Sequence, residues 1–229
     1  MMKALLIALL LGIGIGGEGL AQTPPRLDEL KAYTGFHAAA ARGEVDAIKR
    51  FVREGRDINA RDPFGRTPLM VAAFFKDLKA ALALIKGGAD LNLLEKDVYD
   101  ALTISSVLND LDMVKLLIKH GANAKLVTSP YDGTALIAST HLGHVGVVRE
   151  LIKAGAPLDH INNLQWTALI EAIVLGDGGP NHVACVRLMV EAGADVNLAD
   201  GDGTRPLGLA EQRGFKEMVS ILKAAGGKP

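Results

Sequence analysis

Residues 67–92 read TPLMVAAFFKDLKAALALIKGGADLN, two apolar runs that are separated by a short polar stretch and closed by a glycine. Threonine suits the residue before a helix and proline the first helical position, so Thr67 and Pro68 indicate a helix start. Gly88 stands where a second helix has to end, because glycine takes the left-handed conformation cheaply. The stretch therefore predicts a pair of helices.

The same pattern recurs along the chain with a period of 33 residues or slightly more. A leucine-type residue marks the first helix of each repeat and a glycine marks the end of the second. The leucine-type markers are Phe36, Leu69, Leu102, Leu136, Leu169 and Leu207, and the glycine markers are Gly55, Gly88, Gly121, Gly155, Gly193 and Gly226. A fixed period of this length is typical of a repeat architecture. Repeat five is longer, with 38 residues between Leu169 and Leu207.

The first helix of each repeat is expected to stop at a residue that tolerates a left-handed backbone. Glycine or asparagine occupies this position in four repeats, as Gly43, Asn109, Gly143 and Gly214. Lys76 occupies it in repeat two and does not fit the rule. Repeat three has Asp100 where its neighbours have threonine, and we expect the turn between repeats three and four to be irregular.

These motifs strongly resemble the ankyrin repeat, whose Thr-Pro-Leu and Gly-Ala-Asp signatures extend over about residues 34–227. The resemblance implies an all-α fold of about six helix-turn-helix repeats with finger-like β-turns, stacked into a solenoid with a concave face. The expected repeats of this single domain are 34–61, 62–94, 95–128, 129–161, 162–199 and 200–227, the outer two serving as caps. The fold alone names no activity.

Residues 1–21 have the layout of a secretory signal peptide, with Lys3, an apolar run over residues 4–15, and a small-residue site ending at Ala21. The alternative is an uncleaved membrane anchor, but glycines and Glu18 interrupt the run, and spanning a bilayer takes about 20 apolar residues. We expect cleavage after Ala21, no stable membrane insertion afterwards, and export to the periplasm, with secretion as the alternative. Residues 22–33 are predicted to form a linker and a helix that covers the first repeat.

Charge and cysteine content argue against a nucleic-acid partner and exclude an internal disulfide. The formal net charge is −1, and removal of Lys3 and Glu18 leaves it unchanged. Nucleic-acid binding needs a basic stripe, so we expect no nucleic-acid partner. Cys185 is the sole cysteine, which excludes an internal disulfide, and we interpret it as a small core residue.

The sequence contains no convincing catalytic or metal-binding motif. His141 and His144 are three residues apart, but the turn at Gly143 separates them and no cysteine or carboxylate lies at ligand spacing. His37 and His120 are interpreted as structural. The serines lack a Gly-x-Ser-x-Gly turn, and no glycine-rich phosphate loop follows a strand. We therefore expect no enzyme, no cofactor and no metal, and we expect the extra residues around 176–180 to lengthen a connection between helices.

Two sets of positions are not needed for packing the repeats on one another. The resemblance implies that the positions five and six residues after the leucine marker point into the concave groove, and in the middle repeats these are mostly apolar. They are Phe74, Phe75, Val107, Leu108, His141, Leu142, Val174 and Leu175. Further candidate binding residues occupy or flank the finger turns, namely Phe64, Arg66, Tyr99, Tyr131, Leu164 and Trp166.

Apolar and aromatic patches on a soluble monomer tend to mark interaction sites. We therefore predict a non-enzymatic scaffold that binds a protein partner through its groove and fingers, the partner being an envelope enzyme that it protects or inhibits, or another envelope component. One alternative is a homodimer through the same groove, and a less favoured one is a metal-dependent enzyme. A further alternative is that these side chains pack inside the protein, against neighbouring repeats and against each other.

Overall fold

The computed structural model describes residues 24–229, and the regular elements in this range are all helices. The predicted signal peptide lies outside the described residues. The described chain divides into an N-terminal unit, residues 24–123, and a C-terminal unit, residues 124–229. Helices of the N-terminal unit are α1 (Leu27–Ala32), α2 (Gly35–Ala41), α3 (Val45–Arg53), α4 (Pro68–Phe74), α5 (Leu78–Lys86), α6 (Ala101–Val107) and α7 (Leu111–Lys119). Helices of the C-terminal unit are α8 (Ala135–His141), α9 (Val145–Lys153), α10 (Ala168–Val174), α11 (Pro180–Glu191), α12 (Pro206–Gln212) and α13 (Lys216–Ala224).

The leucine-type markers form the centre of each unit's core. All six are between 0 and 4% exposed. They lie on the first helices of the repeats, which pack on one another as α2 on α4 and α4 on α6, and as α8 on α10 and α10 on α12. The second helices pack in the same order, α3 on α5 and α5 on α7, and α9 on α11 and α11 on α13. Burying one such side chain stabilises the fold by about 1.5–3 kcal/mol, so the repeated marker supplies an apolar layer within each unit.

The glycine markers end the second helices, as the sequence predicts. All six have a positive φ, between 67° and 99°. A residue with a Cβ is strained in this left-handed region, which explains why glycine recurs at this position.

The helix starts are also confirmed. The hydroxyl groups of Thr67, Thr134 and Thr167 each accept a hydrogen bond of 3.3 Å from the backbone N–H three residues later. Asp100 replaces threonine in repeat three, and its carboxylate accepts the same bond from the N–H of Thr103 over 2.7 Å. Each bond satisfies a helix N–H that has no partner within the helix.

Lys76 takes the left-handed conformation although its residue type argues against it. Its φ is 54°, close to the 53° of Asn109 at the equivalent position. The Lys76 ammonium group donates a hydrogen bond of 2.9 Å to the carbonyl oxygen of Leu108. The repeat geometry therefore imposes the turn, at a backbone cost of about 1–2 kcal/mol.

Five finger turns connect successive repeats, at residues 62–66, 95–99, 128–133, 162–166 and 200–204. Four of them are closed by a backbone hydrogen bond from the first residue to the carbonyl oxygen four residues later, as between Asp62 and Arg66. In the finger 128–133 the bond runs from Thr128 to Gly133, so this turn is one residue longer. The prediction of an irregular turn between repeats three and four is confirmed.

The extra residues of repeat five lie in two places. The connection 175–179 has five residues where the other repeats have three, and α11 has twelve residues where the other second helices have nine. The connection is therefore lengthened by two residues, as predicted, and the other three extra residues extend α11. Pro180 explains the difference, because proline is favoured in the first helical turn and begins the helix earlier.

The predicted cover helix is present as α1. Tyr33, which follows it, packs against His37 with ring centroids 5.3 Å apart. His37 in turn bonds through Nε2 to the carbonyl oxygen of Arg66 over 2.8 Å, which confirms its structural role. Within residues 24–229, none of the helices combines the length and the apolar character that spanning a bilayer requires.

Candidate protein-binding surface

A pocket of about 230 Å³ opens in the N-terminal unit between α1, the end of α4 and the fingers 62–66 and 95–99. We call it the finger pocket. It is lined by Arg26, Glu29, Phe64, Arg66, Phe74, Glu95, Asp97, Tyr99 and Ile104. Four of these residues are candidates from the sequence, because Phe64, Arg66, Phe74 and Tyr99 occupy groove or finger positions. The structure brings these four together.

Arg66 is a fixed part of the wall of this pocket. It is 3% exposed, its Nε donates to Oδ2 of Asp62 over 2.7 Å, and its guanidinium group also bonds the carboxylate of Glu29. The hydroxyl of Tyr33 donates to the same Asp62 oxygen over 2.7 Å. Burial alone would raise the pKa of Asp62, but these hydrogen bonds outweigh it and hold the pKa below its usual range. Arg66, a candidate binding residue from the sequence, is therefore buried, and its charge joins α1 to the finger.

Glu95 supplies a negative charge to the opposite wall. Its carboxylate oxygens accept hydrogen bonds from the backbone N–H groups of Asp97 (3.0 Å) and Tyr99 (3.1 Å). Burial raises the pKa of Glu95 in spite of these bonds. In the part of the chain that the structure describes, neither Glu95 nor Asp97 forms an ion pair with a basic side chain.

Tyr99 is 5% exposed, so the expectation that its ring projects from the finger is wrong. It lies in the wall of the pocket, directly before the buried helix cap Asp100. Phe64 and Phe75, in contrast, are both 41% exposed, as the sequence predicts. Phe74 is half-buried, and the guanidinium carbon of Arg66 lies 4.6 Å from the centroid of the Phe64 ring.

The remaining groove candidates are less exposed than expected. Val107 and Leu108 in the N-terminal unit are half-buried, like the C-terminal candidates Tyr131, Leu142, Leu164, Val174 and Leu175, and the side chain of His141 is only 10% exposed. Trp166, a finger candidate, is only 8% exposed and packs inside the protein, which agrees with the alternative of internal packing. Oδ1 of Asn162 accepts hydrogen bonds of 3.0 Å from the backbone N–H groups of both Leu164 and Trp166 and so closes the turn.

His141 belongs to a polar cluster inside the C-terminal unit. Its Nδ1 lies 3.3 Å from Oε2 of Glu171, and Nδ2 of Asn162 donates to Oε1 of Glu171 over 2.8 Å. Groups of three or more side chains able to hold a metal ion are absent from residues 24–229. Cys185 is fully buried, and burial raises its pKa to about 12, so the thiol is a core group.

Sequence reasoning did not identify all of the residues that line the pocket. Arg26, Glu29, Glu95, Asp97 and Ile104 were not among the candidates. For Glu95 a signal existed, because Asp62, Asn162 and Asp200 occupy the same first position of their fingers and accept the same pair of backbone N–H groups. Glu29 lies on α1 and Arg26 directly precedes that helix, and both are outside the repeats, so the periodicity does not place them.

Comparison with known proteins agrees with this architecture. The model of the family described as "Ankyrin repeats (3 copies)" matches residues 5–95, 36–127, 102–200 and 137–228. The chain belongs to the ankyrin-repeat family. Proteins of this family are generally non-enzymatic binding scaffolds.

Relatives of this ankyrin-repeat chain include the ankyrin repeat protein YahD of Escherichia coli strain K12. The two are 35% identical over 189 residues, which is 82% of this chain and 94% of YahD. The crystal structure of an ankyrin repeat domain from Acinetobacter baumannii AYE is similar with a TM-score of 0.81 and 42% identity, covering 84% of this chain and 98% of that one.

A chain from the complex of a predatory endopeptidase of Bdellovibrio bacteriovorus with an immunity protein is similar with a TM-score of 0.69. It is 24% identical, and the match covers 84% of this chain and 98% of that one. A likeness at that identity shows the fold alone.

Proposed function

We propose that this ankyrin-repeat chain is a protein-binding scaffold that performs no chemistry and holds its partner on the surface around the finger pocket. The observation that carries the proposal is the exposure of Phe64 and Phe75, each 41% accessible, in the unit that contains a formed pocket. Aromatic side chains are enriched among the residues that dominate binding energy at interfaces. One exposed ring, Phe64, lies in the wall of the pocket, and the other, Phe75, directly follows the lining residue Phe74, which supports a docking role.

The fixed geometry of the finger pocket also supports this role. Arg66 joins the finger 62–66 to α1 through Asp62 and Glu29, and the finger 95–99 is tied to Phe64 by a backbone bond of 3.0 Å from Lys96. A surface that is already ordered loses little conformational entropy when a partner docks. Most of the favourable free energy of burying the two rings is therefore available for binding and is not offset by ordering the surface.

Site-specific crosslinking tests the proposal. A photoreactive phenylalanine analogue replaces Phe75 in the full chain, and a matched variant carries it at Lys79, an exposed position on α5. We expect a defined adduct from position 75 that is absent from position 79. The captured protein, once purified, should bind the wild-type chain, and Phe75→Ala should weaken this binding by about 2 kcal/mol or roughly thirtyfold. Equal adducts at both positions, or an unchanged affinity for Phe75→Ala, would refute the proposal.

Self-association is the competing use of the same rings. Sedimentation of the purified chain over a hundredfold range of concentration distinguishes the two, because a dimer held by Phe64 and Phe75 would dissociate in the Phe75→Ala variant. We expect a monomer at every concentration. A stable dimer that the substitution disrupts would replace the scaffold proposal with a structural one.

We also propose that the chain is exported and meets its partner in the cell envelope, where an enzyme that it protects or inhibits is the favoured partner. The layout of residues 1–21 supports export. Intact-mass measurement of the protein from a periplasmic fraction should give a chain that begins at Gln22. Recovery of the full-length chain from the cytoplasm would contradict export, while leaving the binding surface unaffected.

A further inference from the structure

We infer that the finger pocket receives a cationic side chain, an arginine or a lysine, of the protein partner. This inference rests on the proposed function, because the pocket lies in the same surface as Phe64. The exposed rings alone do not specify the charge of the partner, whereas this pocket requires a positive one.

The basic groups of the pocket are already neutralised by the protein. Arg26 lies 3.1 Å from the carboxylate of Asp28 and 3.2 Å from that of Glu29. Arg66 is paired with Asp62 and with Glu29. Both guanidinium groups therefore have carboxylate partners within the unit, and an acidic ligand would have to compete with these partners.

The acidic groups on the other wall form no such ion pairs, and Arg66 acts on Glu95 only through its charge. Glu95 and Asp97 line the pocket, and in the described range 24–229 no basic side chain forms an ion pair with either. The oxygens of Glu95 each accept one backbone N–H and keep a further lone pair for a ligand. Lys96 is in the same finger but is not one of the lining residues. The lining thus combines the three carboxylates of Glu29, Glu95 and Asp97 with two guanidinium groups, and Asp62 pairs with one of these, Arg66.

The rest of the wall suits the same ligand. Phe64, Phe74 and Tyr99 line the pocket, and aromatic faces attract ammonium and guanidinium groups. The position of Arg66 over the Phe64 ring, 4.6 Å from its centroid, shows this type of contact within the unit itself. A volume of about 230 Å³ is below that of pockets for drug-sized ligands, so the pocket suits a small group such as the end of one side chain.

A titration with minimal ligands tests the inference on the full chain. N-acetyl-arginine amide and N-acetyl-lysine amide provide the cation, N-acetyl-glutamine amide is the neutral control, and N-acetyl-glutamate amide is the acidic one. We expect saturable shifts of the backbone amide signals of residues 64–66 and 95–99 with a cationic ligand, and a dissociation constant of about 1 mM. Raising the salt concentration from about 20 mM to 0.3 M should weaken the binding, because screening reduces the attraction.

Charge-matched variants separate the pocket from the general surface. Asp97→Asn should weaken cation binding about fivefold, and Glu95→Gln should weaken it further. Lys96→Gln changes the charge of the same finger in the opposite direction and should not weaken it. Saturation by the neutral ligand, tighter binding of the acidic ligand, or an unchanged affinity in Asp97→Asn would overturn the inference.

Failure of this inference is distinguishable from failure of the proposed function. If the crosslinker at position 75 captures a partner whose affinity Asp97→Asn leaves unchanged, the scaffold stands and the cationic anchor does not. If position 75 captures nothing while the arginine ligand still binds in the Asp97-dependent way, the pocket recognises cations and the scaffold function fails.

Discussion

Nδ1 of His141 lies 3.3 Å from Oε2 of Glu171, and both side chains are almost fully buried in the C-terminal unit. Glu171 has one further donor, Nδ2 of Asn162. A carboxylate that is buried at a helix interior depends on such partners, because a buried polar group without a hydrogen bond is costly. His141, a candidate groove residue from the sequence, is therefore a structural residue of the C-terminal unit.

His141→Ala should destabilise the C-terminal unit by about 2 kcal/mol, because it removes one of two partners of Glu171. Urea unfolding followed by the fluorescence of Trp166, which lies in the same unit, measures the effect. The control is a double-mutant cycle with Glu171→Leu, in which the cost of His141→Ala should shrink once the carboxylate is gone. An equal cost in both backgrounds would show that the histidine acts only by packing.

Asp100→Thr should stabilise the N-terminal unit by about 1–2 kcal/mol at pH 7. Thr67 shows that threonine maintains the same cap, and the substitution removes Oδ2 of Asp100, which is buried and has no hydrogen-bond partner within residues 24–229. Thermal unfolding followed by circular dichroism measures the change.

The gain from Asp100→Thr should depend on pH in a defined direction. Burial raises the pKa of Asp100 above the usual value of 3.8, so the native state binds more protons than the unfolded state between the two pKa values. The wild-type chain therefore loses stability as the pH rises through this window, and the variant does not. The difference between them should shrink as the pH falls toward 3.8, and a difference that grows in acid would contradict this account.

Val98→Gly should stabilise the N-terminal unit by about 1 kcal/mol. Val98 has a φ of 68°, a left-handed conformation that a β-branched residue adopts only under strain, whereas Gly65 and Gly203 occupy the same place in their fingers. The gain is limited because glycine also makes the unfolded chain more flexible. Gln165→Gly, at the equivalent position with a φ of 62°, is the matched comparison and should gain less. A lower melting temperature for Val98→Gly would show that the valine side chain contributes packing that exceeds the strain.

Periodicity predicts the features that every repeat must share. The buried leucine-type markers, the left-handed glycines and the threonine caps follow from sequence because each depends on residues within one repeat. Burial of Tyr99 and Trp166 does not follow, since it depends on how far a finger turns inward. Arg26 and Glu29 contribute to the pocket from α1 and the residue before it, a segment that does not repeat, and the left-handed Lys76 results from neighbouring repeats overriding its own preference.

Trp166→Ala should destabilise the C-terminal unit by about 3–5 kcal/mol, because it removes a large buried ring from the core. Phe75→Ala, an aromatic truncation at an exposed position, should change stability by less than about 0.5 kcal/mol. Calorimetry of the two variants separates a core residue from a docking residue. A stable Trp166→Ala protein would restore the indole as a candidate contact.

Cys185 should react with a thiol reagent only when the C-terminal unit opens. It is fully buried and burial raises its pKa to about 12, so at pH 8 both access and thiolate formation are suppressed. We expect labelling by Ellman's reagent to be at least about a thousandfold slower than labelling of a free thiol, and to accelerate with urea as opening becomes more frequent. His141→Ala, which weakens the same unit, should label faster than the wild-type chain, whereas Val98→Gly should not. Rapid labelling of the native wild-type protein would place the thiol at the surface and contradict its assignment to the core.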